Sequence, residues 1–182
     1  MFDFLLEIDN LRNKRSFTEG NTKDLESTLK SELLKLENDP EKLVLNELSQ
    51  NEEYLIVYRT TLDPDDQYSS FYIELRVINT KGILRDRVRL SAIYKNKDTI
   101  EICDIEIFGE NQGRGYGSVL LSTLIKFAIE NSIKQISGWI SYADEEHFEK
   151  LDYFYKKNGF LVRWNENNNN VHKAAEILWI TK

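Results

Sequence analysis

The sequence predicts a mixed α/β fold in which helices lead into a mostly antiparallel sheet. Three observations predict it. Apolar residues recur at helical spacing in the first fifty positions, the spacing changes to two from Glu53, and three glycines within residues 113–117 stand directly before a long apolar stretch of helical period. A chain of 182 residues buries a real core and fits a single domain over 1–182, with a helical part at 1–50 and a motif-bearing core at 53–182. Two prolines and eight glycines are too few for a disordered or collagen-like chain.

Taken in order, "FDFLLEI" (Phe2–Ile8) fits a short strand or a helical turn equally. In "NTKDLESTLKSELLKLEND", Leu25, Leu29, Leu33 and Leu36 fall on one helical face. Asp39 and Pro40 then read as the cap and first position of a second helix, with Leu43, Val44 and Leu48 as its apolar positions. From Glu53 the pattern is that of strands. "YLIVYRTT" is the first, and in "SSFYIELRVIN" Phe71, Ile73, Leu75 and Val77 alternate with Tyr72, Glu74 and Arg76. "NTKG" turns the chain into a strand in which Val88, Leu90, Ala92 and Tyr94 alternate with Arg87, Arg89 and Ser91; "KNKD" turns again into "TIEICDIEIF". This is an antiparallel meander.

The last of these strands breaks its own alternation. Ile100 and Ile102 share one parity, Ile105 and Ile107 the other. Either the strand is covered on both faces, or an extra residue near Cys103 forms a β-bulge that restores the register and bends the strand. Both readings fit the pattern. "NENNNN" (Asn165–Asn170) reads as an exposed loop between two strand-like segments.

Charge and composition narrow the function classes. A net charge of −7 disfavours broad nucleic-acid binding and mildly favours cationic small molecules, although an acidic excess of this size commonly serves solubility alone. A single cysteine excludes an intrachain disulfide and fits a reducing compartment. "MFDFLLEIDN" carries acids where a secretory signal carries Lys or Arg, and no apolar run approaches the ~20 residues of a membrane span. The expectation is a soluble cytoplasmic protein, a monomer or homodimer with no nucleic-acid or membrane partner. His147 and His172 lack partners at metal spacing, so no metal is expected. Trp139, Trp164 and Trp179 lie in or beside strands as core or cleft wall, and Arg85, Arg87 and Arg89 form a solvated basic stripe.

The glycine turn carries the chemistry. A strand ends near Phe108, and after a short loop a helix begins near Gly115. A helix N-terminus exposes unpaired N–H groups with partial positive charge, and glycines let backbone approach a phosphate without a Cβ in the way. Arg114 adds a charge at the rim. No Gly-Lys-Ser/Thr follows, so this is not a P-loop, and the glycine spacing excludes the dinucleotide fingerprint.

"QGRGYG" (Gln112–Gly117) resembles the acyl-CoA-binding motif Q/R-x-x-G-x-G/A of the GNAT superfamily of N-acetyltransferases. Downstream, "FYKKNGF" (Phe154–Phe160) is similar to the F-Y-x-x-x-G-F that ends that family's fourth helix and opens its sixth strand. The resemblance spans roughly Glu53 to Lys182, with helix, strand and helix between the two motifs. It implies a GNAT-like fold: a central, mostly antiparallel sheet splayed at the cofactor site, with helices on both faces.

It also implies acetyl-CoA as acyl donor and direct transfer of the acetyl group to a primary amine of a small molecule or protein. The pyrophosphate would lie on Gln112, Gly113, Arg114, Gly115, Tyr116, Gly117 and Ser118, and the pantetheine arm along Ile105, Glu106 and Ile107. By the same resemblance Tyr155 contacts the donor and protonates the departing thiolate. Glu101 is the first choice for the base that frees the amine, with Asp104 and Glu106 as rivals. Cys103 is not needed as a nucleophile and is expected as a small buried hydrophobe. Phe148, Leu151, Asp152 and Tyr155 share a stripe expected to line the cofactor cleft; Phe148 replaces an asparagine that many members carry. A noncatalytic acyl-CoA sensor or interaction domain is the alternative.

Overall fold

The computed structural model describes residues 19–63, 69–84, 86–165 and 172–181. The "FDFLLEI" segment, Arg85 and most of the asparagine-rich loop lie outside these residues. Helix α1 (Glu19–Glu37) is followed by β1 (Lys42–Gln50), β2 (Glu53–Thr61), β3 (Ser70–Asn79), the short β4 (Gly82–Ile83), β5 (Val88–Asn96) and β6 (Thr99–Ile107). Then come α2 (Tyr116–Glu130), β7 (Gln135–Ser141), α3 (Phe148–Lys157), β8 (Leu161–Trp164) and β9 (Lys173–Ile180). Among the described residues the strands form one nine-stranded sheet in the order β1-β2-β3-β5-β6-β7-β9-β8, with β4 beside β3. The β6–β7 pair is parallel and its neighbours in the sheet are antiparallel.

The second N-terminal helix expected from Asp39-Pro40 is not formed; that stretch is a turn and a strand. The Asp39 carboxylate accepts from the Glu41 amide at 3.1 Å and its carbonyl from the Lys42 amide at 3.0 Å, which closes a turn instead of capping a helix. The register of β1 on β2 slips between Val44 and Asn46, so Leu45 is an extra residue. Val44 packs on the cluster under α1, whereas Leu45 and Leu48 pack on the main core. A strand that bulges changes parity midway, and its apolar residues then mimic helical spacing.

Two apolar clusters divide the sheet's faces. The alternation of β3 holds: Phe71, Ile73, Leu75 and Val77 are buried and join Val88, Leu90, Ala92 and the α2 residues Leu120, Leu121 and Leu124 in the main core. The opposite face of β2 and β3 carries Ile56, Tyr58 and Ile78, covered by Leu29 and Leu36 of α1 with Leu25 and Leu33 beside them. Helices therefore lie on both faces, as the leucine spacing of α1 and the apolar run of α2 require.

The alternation break in β6 is a bulge. Ser91 of β5 pairs with Asp104 and the next residue, Ala92, pairs with Ile102, which leaves Cys103 extruded. Past the bulge, Ile105 opposes Leu90 and Ile107 opposes Val88, so all four isoleucines share the core face. Cys103 is therefore exposed and not the buried hydrophobe expected from its size. Partial desolvation of its sulfur and the nearby carboxylates of Glu101 and Asp104 hold the thiol above its ordinary pKa, although the residue as a whole is exposed.

Candidate active site

Past the bulge, the sheet forks. The parallel pairing of β6 with β7 covers Thr99, Glu101 and the residue between them and stops there, although β6 runs on to Ile107. Ile105, Glu106 and Ile107 thus keep their bonds to β5, while their other edge has no strand partner among the described residues. At the base of the fork Gly138 of β7 lets the sheet close: a Cβ there would stand 2.9 Å from Ile177 and 3.2 Å from the Ile102 carbonyl.

The glycine turn sits at the open end. After β6 a single 3₁₀ turn (Gly109–Asn111) leads to Gln112, whose side-chain amide donates to the Ile107 carbonyl at 3.1 Å. Buried Asn111 donates to Asp86 at 2.9 Å and ties the turn to the start of β5. Gly113 and Gly115 have φ of 79° and 89°, a region closed to most side chains, and a Cβ on Gly113 would meet nothing within 4 Å. Gly115 caps α2 without any side-chain cap, and its carbonyl accepts from the Val119 amide at 3.1 Å. The first-turn amides of α2, including those of Gly117 and Ser118, are left to an outside acceptor. Uncapped amides on an open glycine turn fit a pyrophosphate, and the unpaired edge of β6 fits an extended amide-bearing arm, so these residues suit acetyl-CoA as a bound substrate.

The turn is held from a place the sequence did not reveal. Glu53, the buried first residue of β2, accepts from Arg114 at 2.9 Å, from the Tyr116 hydroxyl at 2.5 Å and from Asn79 at 3.3 Å. Gln50, across the hairpin, donates to the Arg114 carbonyl at 3.3 Å. Burial and the bond to Glu53 hold the Tyr116 phenol above its ordinary pKa. No local signal marks Glu53, since its partners lie 61 and 63 residues away in sequence.

Helix α3 closes the site from the core side. A Cβ on Gly117 would come within 3.0 Å of the Phe154 ring and 3.4 Å of Ile107, so Gly117 admits α3 and β6 to the start of α2. Tyr155 is buried, in edge contact with Phe154 and Phe160 at centroid distances of 5.1 and 5.8 Å. Burial, reinforced by the charges of Asp104 and Asp144, pushes its phenol far above the usual tyrosine range. The helical stripe does not line a single cleft. Asp152 accepts from the Trp164 indole at 2.9 Å, and Phe148 packs on Trp164 at 4.7 Å, so these two face β8 while Tyr155 faces the core. Of the tryptophans, Trp179 packs against the core, whereas Trp139 is 47% exposed.

The bulge gathers the candidate carboxylates on one face. Glu101, Asp104 and Glu106 oppose Ile93, Ser91 and Arg89, which alternate with the core residues of β5. Lys95 pairs with Glu101 at 3.0 Å and Arg89 with Glu106 at 2.7 Å. Arg89 also lies over the Tyr72 ring at 4.4 Å, so it is a paired residue and not part of a solvated stripe. Asp104 accepts from the Ile105 amide at 2.7 Å and has no ion pair among the described residues.

A forked mixed sheet thus ends at an uncapped helix N-terminus, in an α/β domain with helices on both faces. The chain belongs to the Acetyltransferase (GNAT) family, whose sequence model matches residues 31–160. No curated protein sequence matches. Among solved structures, the dodecameric spermidine N-acetyltransferase of Vibrio cholerae in an intermediate state is 15% identical, covering 64% of this chain and 67% of that one, with a TM-score of 0.46. A spermidine N-acetyltransferase of Vibrio cholerae in complex with CoA and spermine is 15% identical over 60% and 65% of the two chains, with a TM-score of 0.44. Ard1 of Thermoplasma volcanium is 14% identical over 60% and 70%, with a TM-score of 0.43. No helix among the described residues is long and apolar enough to cross a membrane, and no group of three His, Cys, Asp or Glu residues among them could hold a metal ion.

Proposed function

We propose that this protein transfers an acetyl group from acetyl-CoA to a primary amine of a small molecule or protein, directly and without a covalent enzyme intermediate. The observation that carries this reading is the fork: β6 separates from β7 beyond Glu101 and delivers its free edge to the uncapped start of α2. The donor supplies an activated thioester. The chain's own residues bind and orient it and move two protons. The amides of Gly113 to Ser118 hold the pyrophosphate, and the backbone of Ile105 to Ile107 pairs with the arm. Tyr155, protonated at neutral pH as any phenol is, donates its proton to the leaving sulfur, although burial makes it a weaker acid than a free tyrosine. For the amine's proton, Glu101 and Asp104 share the right face. Glu101 is held by Lys95, which leaves Asp104 as the favoured acceptor, directly or through water.

The test is calorimetry with acetyl-CoA, followed by thiol release across a panel of amines. Tyr155→Phe is expected to lower kcat by about two to four powers of ten with little change in acetyl-CoA affinity. A wild-type kcat in that variant, with chemistry shown to limit the rate, removes the acid role. Tight acetyl-CoA binding with no release on any amine would favour a noncatalytic acyl-CoA sensor.

A further inference from the structure

Arg114 stands between the two glycines of the donor turn, where a guanidinium is expected to reach for phosphate. Its geometry does something else. Its Nη1 is spent on Glu53 at 2.9 Å, and its carbonyl is held by Gln50 at 3.3 Å. Both partners flank the β1–β2 hairpin, whose two turn residues, Asn51 and Glu52, have φ of 49° and 66°. The Glu53 side chain is 7% exposed, and its second oxygen takes the Tyr116 hydroxyl at 2.5 Å. A buried carboxylate is costly unless it is paired and hydrogen-bonded, and here the donors come from both sides of Gly115. The hairpin tip thus grips the turn immediately before and immediately after left-handed Gly115.

We infer that Glu53 is a positioning residue for donor binding: it fixes Arg114 and Tyr116 so that the glycine turn presents its amides, and Arg114 is a strut of the turn and not a phosphate ligand. This rests on the reading that the turn holds the donor's pyrophosphate. The fold's logic supports it. Gly113 and Gly115 give the turn its shape but also its freedom, since glycine loses the most conformational entropy on ordering. An amide cradle binds well only if that freedom is already spent before the ligand arrives. Glu53 supplies the restraint from a rigid strand 61 residues away in sequence.

The two possible roles of Arg114 predict opposite signs. If Glu53 positions the turn, Glu53→Gln loosens it, and CoA affinity measured by calorimetry falls on the order of tenfold. If Glu53 merely sequesters a phosphate ligand, the same change frees Arg114 and tightens CoA binding. The experiment pairs this with a donor that lacks the pyrophosphate. In Glu53→Gln the KM for acetyl-CoA should rise with kcat retained, while kcat/KM for S-acetyl-pantetheine stays at the wild-type value. A general loss of structure would lower both. Should Glu53→Gln not fold, Tyr116→Phe removes one of the two grips by a single hydroxyl and is expected to weaken CoA severalfold. Arg114→Gln combined with Glu53→Gln should cost no more than Glu53→Gln alone. Unchanged or tighter CoA binding in Glu53→Gln and Tyr116→Phe overturns the inference. Failure of the wild type to bind CoA overturns instead the donor reading beneath it.

Discussion

Asp104 and Glu101 lie three positions apart and would face opposite sides of a regular strand; the extruded Cys103 brings them to the same side. That one residue decides which carboxylates of β6 share a face. The break in alternation at Ile102–Ile105 was visible in the sequence, but its resolution was not, because a strand buried on both faces shows the same letters. The pairing of Glu101 with Lys95 was equally hidden, since both sit in one strand–turn–strand unit where many ion pairs are possible. The consequence is a test by rate against pH. A base must be ionised to act, so kcat/KM rises with pH through the base's titration. Asp104→Asn should abolish that acid limb and lower kcat/KM by about two to four powers of ten. Glu101→Gln should keep the limb while altering its midpoint only slightly. The reverse pattern would assign the role to Glu101.

At the scale of elements, the glycine turn and the parity slip in β6 were both legible and for the same reason: each breaks a strong local rule. Three glycines at the head of an apolar helix, and a parity slip inside a strand, are conflicts between local propensity and global pattern, and such conflicts gather at sites. Strand β1 shows the opposite case. Its bulge at Leu45 also breaks parity, but the segment is short and follows Asp-Pro, so a helix start explained the letters as well as a strand did. Only the long-range pairing with β2 separates the two. The bulge in β6 also makes a prediction about the fork. Deleting Cys103 would make Ile102 and Asp104 neighbours, and the alternation of Ile100, Ile102, Ile105 and Ile107 toward the core would become regular. The chain should fold with its thermal midpoint unchanged or higher, because a bulge leaves one ladder position unpaired. Removal of the bend should close β6 toward β7, and acetyl-CoA affinity should fall at least tenfold. Full affinity in a folded deletion variant, measured by calorimetry, would show that the fork does not depend on the bulge. At Gly115, with φ of 89°, substitution by alanine adds left-handed strain of about 1–2 kcal/mol. A lowered thermal midpoint together with weakened CoA binding is the expected outcome, and an unchanged midpoint would mean the turn can relax.

At the scale of the whole molecule, α1 and the sheet face beneath it hold a second buried carboxylate besides Glu53. Glu32, 6% exposed, pairs with Lys35 at 2.6 Å and with Arg76 of β3 at 3.4 Å. The leucine stripe of α1 was readable from spacing alone, whereas this polar layer was not, because it joins a helix and two strands far apart in sequence. Tyr58 lies within it, 5% exposed, beside Glu74, Arg76 and Glu32. Burial first, then the charge of Glu74, pushes its phenol up to about 12 from an ordinary value of 10.0. The sign of the linkage follows. Below pH 10 the phenol is protonated in both folded and unfolded chains and contributes no pH dependence. Above it the unfolded chain releases the proton while the folded chain keeps it, so stability falls as pH rises, until the folded phenol itself ionises near pH 12. A displacement of this size corresponds to roughly 2–3 kcal/mol lost across that window, and Tyr155, displaced in the same direction, steepens the decline. Denaturant unfolding measured between pH 9 and pH 12 should therefore show a steadily falling midpoint, fully recovered on return to pH 9. Tyr58→Phe removes one of the displaced groups, leaves the ring packed under α1, and should make the decline shallower. If the slope is the same with and without the Tyr58 hydroxyl, that phenol is not held in its protonated form by the layer under α1, and the alkaline sensitivity belongs to the other displaced groups, Tyr155, Tyr116 and Cys103, instead.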